Sequence, residues 1–180
     1  MAFNSQTPHP TPHIEAILAV DNKGGLAKNG KIPWKSKADM NFFKSKTTNH
    51  IVIMGSKTFL SLPNAMPLKN RKNIVITTKK EHYEELYKDH DTNLAFASLE
   101  EVIELFEEYN NNKLYDTRIY VIGGNEIYNT LLPYCSIVWL SIINNDYECD
   151  LLFNYDLSNY NKSIIYEDTE LSIIKLCSVL

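Results

Sequence analysis

The sequence predicts an α/β fold with a central mixed, mostly parallel sheet, about four flanking helices and an antiparallel edge at its C-terminal end. Two observations support this prediction. Before Pro133, short apolar runs alternate with segments of helical periodicity, which is the order expected of β-α-β units. After Pro133, strand-like segments follow one another with no helix between them, which is typical of antiparallel hairpins.

Each predicted element has a local signal. Ser36 is the expected N-cap of the first helix, Ser98 and Glu101 form a capping box that begins another, and Pro133 ends the last. Short apolar runs bounded by turn residues predict the strands. The predicted strands cover residues 14–20, 51–54, 73–78, 118–122, 137–144, 163–167 and 172–179. The predicted helices cover residues 36–47, a short stretch after 55–58, a segment from 98 to an Asn-rich stop at 110–112, and residues 126–132.

The length of 180 residues and the 44% hydrophobic content are those of one globular domain. We expect residues 1–12, which end in three closely spaced prolines, to form a flexible N-terminal tail, and residues 13–180 to form the domain. A net charge of −4 leaves no basic surplus for binding nucleic acid or acidic membranes. No apolar run approaches the roughly 20 residues that a membrane span needs.

The cysteines and histidines indicate neither disulfides nor a metal. Three cysteines without a CxxC pair favour free thiols in a reducing compartment, so we expect a cytoplasmic protein. Separately, we expect the chain to be a monomer. The five histidines are scattered without ligand-like spacing, so no metal site is expected.

Residues 25–31 match the pattern G-x-x-x-x-G-K of a phosphate-binding P-loop, but the rest of that motif is missing. Ile32 stands where a Ser or Thr should bind magnesium, and Pro33 disfavours the helix that should follow. The glycines at positions 24, 25 and 30 instead favour a flexible loop beside an active site.

Asp39 has two interpretations. On a helix it shares a face with Phe43 and lies next to Met40, which places a carboxylate against apolar and aromatic surface. It is also the third residue after Ser36, so it could simply complete a capping box. Spacing alone favours the capping box over a functional carboxylate.

Two strand-to-helix junctions are suited to phosphate. Gly123 and Gly124 follow one predicted strand, residues 55–58 (GSKT) follow another, and at such junctions backbone can approach a ligand closely. A pyrophosphate-bearing nucleotide would fit both, although glycines at such turns are also common without a ligand. Arg71, one of only two arginines, is either a solvated surface residue or a ligand for a carboxylate.

Six segments, in one order and with compatible spacing, resemble the dihydrofolate reductase family. They are ILAV (17–20), GLAKNGKIPW (25–34), ADMNFF (38–43), IVIMGSKTF (51–59), PLKNRKNIVITT (67–78) and YVIGGNEIY (120–128). The resemblance extends from about residue 14 to the C-terminus. It implies the fold of that family and its reaction, the NADPH-dependent reduction of 7,8-dihydrofolate to 5,6,7,8-tetrahydrofolate, which supports one-carbon metabolism and thymidylate synthesis. It also implies that antifolates such as methotrexate bind.

The resemblance centres the substrate site on Asp39, whose carboxylate would bind the 2-amino group and ring N3 of the pterin. Ser141 would support that contact, Trp34 would lie beside an ordered water and Tyr128 near the nicotinamide, which makes these four the predicted catalytic residues. Arg71 would bind the α-carboxylate of the substrate. The other implied substrate residues are Ile17, Leu18, Ile32, Met40, Phe43, Leu62, Leu68 and Ile122. Since the motifs place no second acidic side chain, we expect Asp39 to orient and polarise the pterin while the proton arrives through water.

The same resemblance implies an NADPH site across the two junctions. The Gly123-Gly124 peptide corresponds to a cis bond in the family, and the segment from Thr77 to Lys79 falls where the adenosine 2′-phosphate is usually bound. The implied cofactor residues are Ala19, Leu26, Gly30, Gly55, Ser56, Lys57, Thr58, Thr77, Thr78, Lys79, Ile122, Gly123, Gly124, Asn125, Glu126, Ile127 and Tyr128.

Some residues depart from the family pattern. Ser56 replaces a Lys or Arg near the 2′-phosphate, Ala27 replaces a glycine of the flexible loop, and Cys149 and Leu151 lie in a loop expected to contact that one. Two alternatives stay open, the first of them because of the changes at Ala27 and Leu151. One is a catalytically altered folate- or nucleotide-binding protein, which would bind methotrexate without oxidising NADPH. The other is a related pyrimidine reductase of the same fold, against which Arg71 argues.

Overall fold

The computed structural model describes residues 11–89, 92–111 and 116–179. Within them, strands form one large and one small sheet, and helices pack on both faces of the large sheet. The strands are β1 (Thr11–Asp21), β2 (Gly25–Ala27), β3 (Ile51–Gly55), β4 (Lys72–Ile76), β5 (Leu94–Ala97), β6 (Ile119–Val121), β7 (Cys135–Ile143), β8 (Leu151–Leu152), β9 (Tyr160–Glu167) and β10 (Leu171–Ser178). The α-helices are α1 (Lys37–Thr47), α2 (Ser56–Ser61), α3 (Lys80–Leu86), α4 (Leu99–Asn111) and α5 (Asn125–Leu131).

The large sheet has eight strands in the order β5-β4-β3-β6-β1-β7-β10-β9. Neighbouring strands from β5 to β7 are parallel, whereas β10 is antiparallel to both β7 and β9. This arrangement confirms the predicted fold class, including its antiparallel C-terminal edge. Because the parallel strands share one direction, their carboxyl ends meet at one edge of the sheet, where ligands of open α/β sheets bind.

Four elements were not predicted. The helix α3 and the strand β5 belong to a polar stretch whose local pattern is weak, and they are held by aromatic packing: Tyr83 stacks on Phe96 at 5.2 Å between ring centroids. The strands β2 and β8 have three and two residues and pair only with each other, as a second, two-stranded sheet. All four elements depend on contacts with residues outside their own segments, so a local sequence pattern could not predict them.

The predicted helix signals are confirmed. Ser36 is the N-cap of α1, and its side chain accepts a hydrogen bond from the Asp39 N–H at 3.2 Å. Ser98 and Glu101 form both bonds of a capping box, at 2.8 and 3.1 Å. Pro133 follows α5 inside a single 3₁₀ turn (Leu132–Tyr134) that leads into β7.

Two apolar clusters cover the two faces of the sheet. On one face, α4 and α5 pack on alternate side chains of β1, among them Leu18 and Val20. On the other face, α1 and α2 pack on Ile17, with Phe43 and Phe59 in the same cluster. Since successive residues of a strand face opposite sides, Ile17 and Leu18 belong to different clusters.

The predicted tail lies largely outside the described residues, which begin at Thr11, the first residue of β1. The division into a tail at 1–12 and a domain at 13–180 therefore stays a prediction. Among the described residues, no helix is long and apolar enough to cross a membrane.

Candidate active site

Asp39 lies in the first turn of α1, and its carboxylate is hydrogen-bonded to the Ser141 side chain of β7. Burial raises the pKa of Asp39; the bond from Ser141 acts against this rise, and the negative charge of Glu170 adds to it. The Ser36 side chain caps the helix by binding the backbone N–H of Asp39. The cap and the functional interpretation are thus compatible, because they use different atoms of Asp39.

Glu170 is an acidic neighbour that the motifs did not reveal. It lies in the turn between β9 and β10, where its carbonyl accepts the N–H of Asn144 at 2.8 Å. The motifs place no second acidic side chain at Asp39, and the structure adds Glu170 as a neighbour whose charge raises the pKa of Asp39. A single Glu in a predicted hairpin turn carries no sequence signal of this proximity.

Tyr128 of α5 is buried, and its hydroxyl donates to the carbonyl of Ile17 at 2.9 Å. Burial raises the pKa of Tyr128, and the charge of Asp39 raises it further. Tyr128 therefore stays a neutral donor. Tyr128 therefore interacts with two groups of the site: it is hydrogen-bonded to the Ile17 carbonyl, and it lies within the electrostatic influence of the Asp39 carboxylate.

The apolar residues predicted around the substrate divide into three groups. Phe43, Leu62, Leu68 and Ile122 pack with Ile17 on the face of the sheet that α1 covers. Met40 and Ile32 are exposed, at 54% and 65%, so both side chains are free to contact a ligand. The Leu18 side chain packs in the cluster on the opposite face, so Leu18 meets the α1 side only through its backbone.

Trp34 is buried, at 6% exposure, and packs with Ile143, Leu171 and Ile173 in a third cluster beside the start of α1. Its ring is tilted against Tyr147 at 5.6 Å. The residue thus supports the segment that leads into α1.

Arg71 is half-buried at the other end of α1. Its Nη1 donates to the Thr47 hydroxyl at 3.0 Å and its Nε to the carbonyl of Lys69 at 2.9 Å, and the guanidinium lies 5.9 Å from the centre of the Phe43 ring. Burial lowers the pKa of Arg71. The fold holds the guanidinium in place, and its remaining donors are available to an anion.

Asn73, which the motifs did not single out, holds the segment that carries Arg71. Its side chain is fully buried and bonds the backbone of Leu68 at both N–H and carbonyl, and the carbonyl of Arg71, each at 2.9 Å. A buried Asn inside a predicted strand is a weak signal, and its partners could not be read from the sequence.

The two predicted phosphate junctions lie side by side. The peptide between Gly123 and Gly124 is cis, as the resemblance implies, and the Gly123 carbonyl accepts the N–H of Gly55 at 2.8 Å. A Cβ on Gly124 would lie 3.1 Å from the Thr58 hydroxyl, and one on Gly55 3.0 Å from the Ile127 side chain. Side chains at these glycines would crowd the place where the two junctions meet.

The polar residues at these junctions include one unmatched acceptor. The Asn125 side-chain oxygen is buried and has no hydrogen-bond partner among the described residues. Lys57 and Glu126 face each other across the junctions at 3.7 Å, both highly exposed, so this ion pair contributes little to stability. A bound ligand could therefore move the Lys57 and Glu126 side chains with little loss of stability.

The predicted 2′-phosphate residues lie at the end of β4. Thr77 is buried and its hydroxyl accepts the N–H of Lys79 at 3.1 Å, while Thr78 and Lys79 are exposed. Ser56 is half-buried at the start of α2. The neighbouring Lys80 forms an ion pair with Glu101 at 2.6 Å.

Residues 25–31 form no P-loop, which confirms that exclusion: β2 is followed by a tight turn bridged between Lys28 and Lys31 rather than by a helix. The loop is joined to the loop before β8, as expected. Asp150 accepts the N–H of Asn29 at 2.7 Å, and its own N–H donates to the Ala27 carbonyl at 3.1 Å. The other predicted cofactor residues of this region lie in different surroundings. Leu26 packs on the α5 side of the sheet, and Ala19 packs beside Trp34. Gly30 has a φ of 73°, and a Cβ added there would contact no other atom.

Asp21, at the end of β1, is a third residue that the motifs missed. It is 1% exposed and accepts the N–H groups of Lys23 at 2.9 Å, Gly25 at 2.7 Å and Tyr147 at 3.1 Å. Burial alone would raise the pKa of Asp21, but these bonds outweigh it and leave the pKa below its ordinary value. An Asp followed by Asn-Lys-Gly-Gly was a signal for a turn, though not for this cross-link to Tyr147.

Comparisons with known proteins agree with this geometry. The family model for dihydrofolate reductase matches residues 13–170. A dihydrofolate reductase of Ureaplasma parvum is 32% identical over 157 residues, covering 86% of this chain and 92% of that protein. A dihydrofolate reductase of Bacillus subtilis is 31% identical over 148 residues, covering 82% of this chain and 79% of that protein.

Among solved structures, the chain is similar to a dihydrofolate reductase from Enterococcus faecalis complexed with NADP(H) and RAB-propyl. The TM-score is 0.70 at 25% identity, and the match covers 93% of this chain and 95% of that chain.

Proposed function

Since the chain belongs to the dihydrofolate reductase family, we propose that Asp39 is the carboxylate that binds and orients the pterin. The chain is an NADPH-dependent reductase of 7,8-dihydrofolate, and its product is 5,6,7,8-tetrahydrofolate. What remains to be assigned is the part that each residue plays in this reaction.

One observation carries the proposal: Asp39 is a partly buried carboxylate that the described chain supplies with a single side-chain donor, Ser141. Its remaining acceptor positions can receive two parallel N–H donors, such as the 2-amino group and N3–H of a pterin. The Ile17 carbonyl accepts the Tyr128 hydroxyl, and because the charge of Asp39 also acts on Tyr128, we assign the Ile17 carbonyl to the same site. An acceptor pair of this kind suits a ring that carries several N–H groups on one edge.

The far end of the substrate matches Arg71. The guanidinium is positioned by Thr47 and the Lys69 carbonyl, and it lies at the opposite end of α1 from Asp39. A helix of eleven residues is roughly 16 Å long. This span suits a substrate with a donor-rich ring at one end and a carboxylate at the other. Phe43 lies between the two, on the same face of α1.

The residues at the two junctions fit a dinucleotide. The unmatched Asn125 oxygen can accept a donor from the ligand, the glycines at 55, 123 and 124 leave room for close approach, and Lys57 supplies a positive charge. NADPH bound there would supply the hydride. The preference for NADPH over NADH would depend on Lys57, Thr78 and Lys79, since Ser56 brings no positive charge.

In the reaction, this chain positions groups and controls water. Asp39 would fix the pterin ring and stabilise its protonated form, while Phe43 and Leu62 would exclude water from one side. The Tyr128 hydroxyl keeps the Ile17 carbonyl oriented. We infer that the proton reaches the ring through water, because neither Ser141 nor Tyr128 is an acid at neutral pH and the Glu170 side chain is exposed to solvent.

The variant Asp39→Asn tests this proposal. It keeps the size and the bond from Ser141 but removes the charge, so turnover at pH 7 should fall by about a hundredfold or more. Activity should recover in acid, where the substrate is already protonated. Glu100→Gln, which neutralises an exposed carboxylate in the first turn of α4, is the matched control. Wild-type turnover by Asp39→Asn at pH 7 would rule out the assignment.

We further propose that the chain is a cytoplasmic monomer. The three cysteines are free, with Cys135 buried and Cys149 and Cys177 partly buried, which suits a reducing compartment. Light scattering at micromolar concentration should give a mass near 20.7 kDa. A mass of twice that value would contradict the monomer.

A further inference from the structure

Glu15 is a buried carboxylate on β1 that the reaction described above does not use. It is 2% exposed and faces α1, as Ile17 two residues later does. Trp139 donates its indole N–H to Glu15 at 2.6 Å, the Arg118 guanidinium forms an ion pair with it, and the Tyr120 side chain is hydrogen-bonded to it. Three neighbours therefore satisfy this carboxylate.

The indole of Trp139 is in turn the surface on which α1 rests. Lys46 of α1 places its ammonium 3.6 Å from the centre of the Trp139 ring, and Phe42 of α1 meets the ring edge-on at 5.8 Å. Lys175, paired with Trp139 across β7 and β10, lies 5.6 Å from the same ring. A cation over an indole is the most favourable cation–π pair, so the ring orientation matters for how α1 packs.

The helix α1 thus contacts β7 at two places. One is the Asp39–Ser141 hydrogen bond, and the other is the packing of Phe42 and Lys46 on Trp139. Trp139 and Ser141 are two residues apart on one face of the strand, which is roughly 7 Å. Asp39 and Phe42 are about one turn apart on the helix. Because a helix turn and a two-residue strand segment are short and hydrogen-bonded, we expect a change at the indole contact to shift the Asp39 carboxylate.

We propose that Glu15 is a positioning residue for the reductase reaction: by holding the Trp139 indole N–H, it fixes the surface that sets where α1 places Asp39 against Ser141. The proposal rests on the role proposed for Asp39. Because Glu15 is buried and bonded to three protein side chains, we assign it no direct contact with substrate or cofactor.

A purely structural role makes a different prediction. If Glu15 only stabilised the fold, losing any one of its partners would lower stability and leave the surviving folded enzyme equally active. If Glu15 acts through the indole, losing the Trp139 bond differs from losing the Arg118 ion pair, although each removes one partner from the same carboxylate.

The test compares Trp139→Phe with Arg118→Met. The first keeps an aromatic ring under Lys46 but removes the N–H, and the second removes the ion pair but leaves the indole bound. Trp139→Phe should lower kcat at pH 7 about tenfold, raise KM for dihydrofolate and shift the pH profile of hydride transfer, with KM for NADPH unchanged. Arg118→Met should change kcat and both KM values by less than about twofold and should leave the pH profile of hydride transfer at its wild-type position.

A second pair keeps the test valid if Trp139→Phe fails to fold. In Glu15→Gln the side-chain oxygen can still accept the indole N–H, so this variant should be several-fold more active than Glu15→Ala. The pH profile reports Asp39, whose titratable neighbours, Tyr128 on α5 and Glu170 before β10, are untouched by all these variants.

Equal kinetics in Trp139→Phe and Arg118→Met, or equal kinetics in Glu15→Gln and Glu15→Ala, would overturn the inference. Such a result is distinguishable from failure of the proposed function. If Asp39→Asn is crippled while these pairs behave alike, only the role of Glu15 is lost. If Asp39→Asn is fully active, the role of Asp39 is lost as well.

Discussion

Asp21 and Asp39 are two aspartates that the fold withdraws from water, and the chain satisfies them differently. Asp21 receives three backbone N–H groups, which leave its pKa below the ordinary value although burial alone would raise it. Asp39 receives one hydroxyl, from Ser141, and burial raises its pKa. A carboxylate whose acceptor positions are filled by N–H groups of the chain, as in Asp21, stabilises the fold. A carboxylate left with free acceptor positions is available to a ligand that brings its own donors.

The largest effect on folding is expected from Asp21→Ala. Three N–H groups would lose their acceptor, so the free energy of unfolding in urea at pH 7 should fall by about 3 kcal/mol. Because the folded pKa of Asp21 is lowered, its contribution is present above the unfolded value and lost as pH falls through the folded pKa. The difference from wild type should therefore shrink in acid, below about pH 4.

Asp156→Ala is the control for that experiment, because Asp156 is exposed and accepts a backbone N–H from Ser158 at 2.8 Å. It should change stability far less. Equal losses in the two variants would remove the distinction between satisfied buried carboxylates and ordinary surface ones.

The next effect is expected from Arg71→Lys, which tests the other charged group with free donors. Lysine cannot reproduce the planar fork, so KM for dihydrofolate should rise about tenfold or more, with KM for NADPH unchanged. The chain offers a matched control in Arg118→Lys, since Arg118 is engaged by Glu15. If both arginine variants raise KM equally, Arg71 is not the ligand of the substrate carboxylate.

A smaller effect is expected on the stability of Asp39→Asn. The raised pKa of Asp39 means that wild-type stability falls as pH rises through it, since the ionised form is penalised in the folded state. The variant has no such penalty, so its Tm by calorimetry should equal or exceed the wild-type Tm at pH 8, and this advantage should disappear near pH 4. A Tm at pH 8 below that of wild type would show that Asp39 is satisfied like Asp21.

The smallest effect is expected from Ser56→Arg, at the exposed end of the cofactor site. A guanidinium there should lower KM for NADPH a few-fold at low salt, and the gain should decline as salt screens it. KM for NADH should stay unchanged, because NADH lacks the 2′-phosphate. An equal gain for both cofactors would place Ser56 away from that phosphate.

Much of the fold could be predicted because its signals are local. The N-cap at Ser36 and the capping box at Ser98 and Glu101 are confirmed atom by atom. The elements α3 and β5 could not be predicted, because the stacking of Tyr83 on Phe96 stabilises them from outside their own segments.

The candidate site shows the same division. Family motifs placed Asp39, Ser141 and Arg71, and the structure brings the first two into hydrogen-bond contact. Glu15 and Asp21 belong to no functional motif. A single acidic residue in or after an apolar run does not reveal whether the folded chain supplies it with hydrogen-bond donors. Some of their partners are more than 100 residues away in the sequence, namely Trp139 for Glu15 and Tyr147 for Asp21.

The central claim is that Asp39 keeps acceptor positions and charge for a protonated pteridine ring. The ultraviolet difference spectrum of bound methotrexate tests it directly, because ring protonation changes the absorption of a pteridine. At pH 8 we expect the spectrum of the protonated ring on the wild-type protein and of the neutral ring on Asp39→Asn. A neutral ring on the wild-type protein, or a protonated ring on both, would contradict the account.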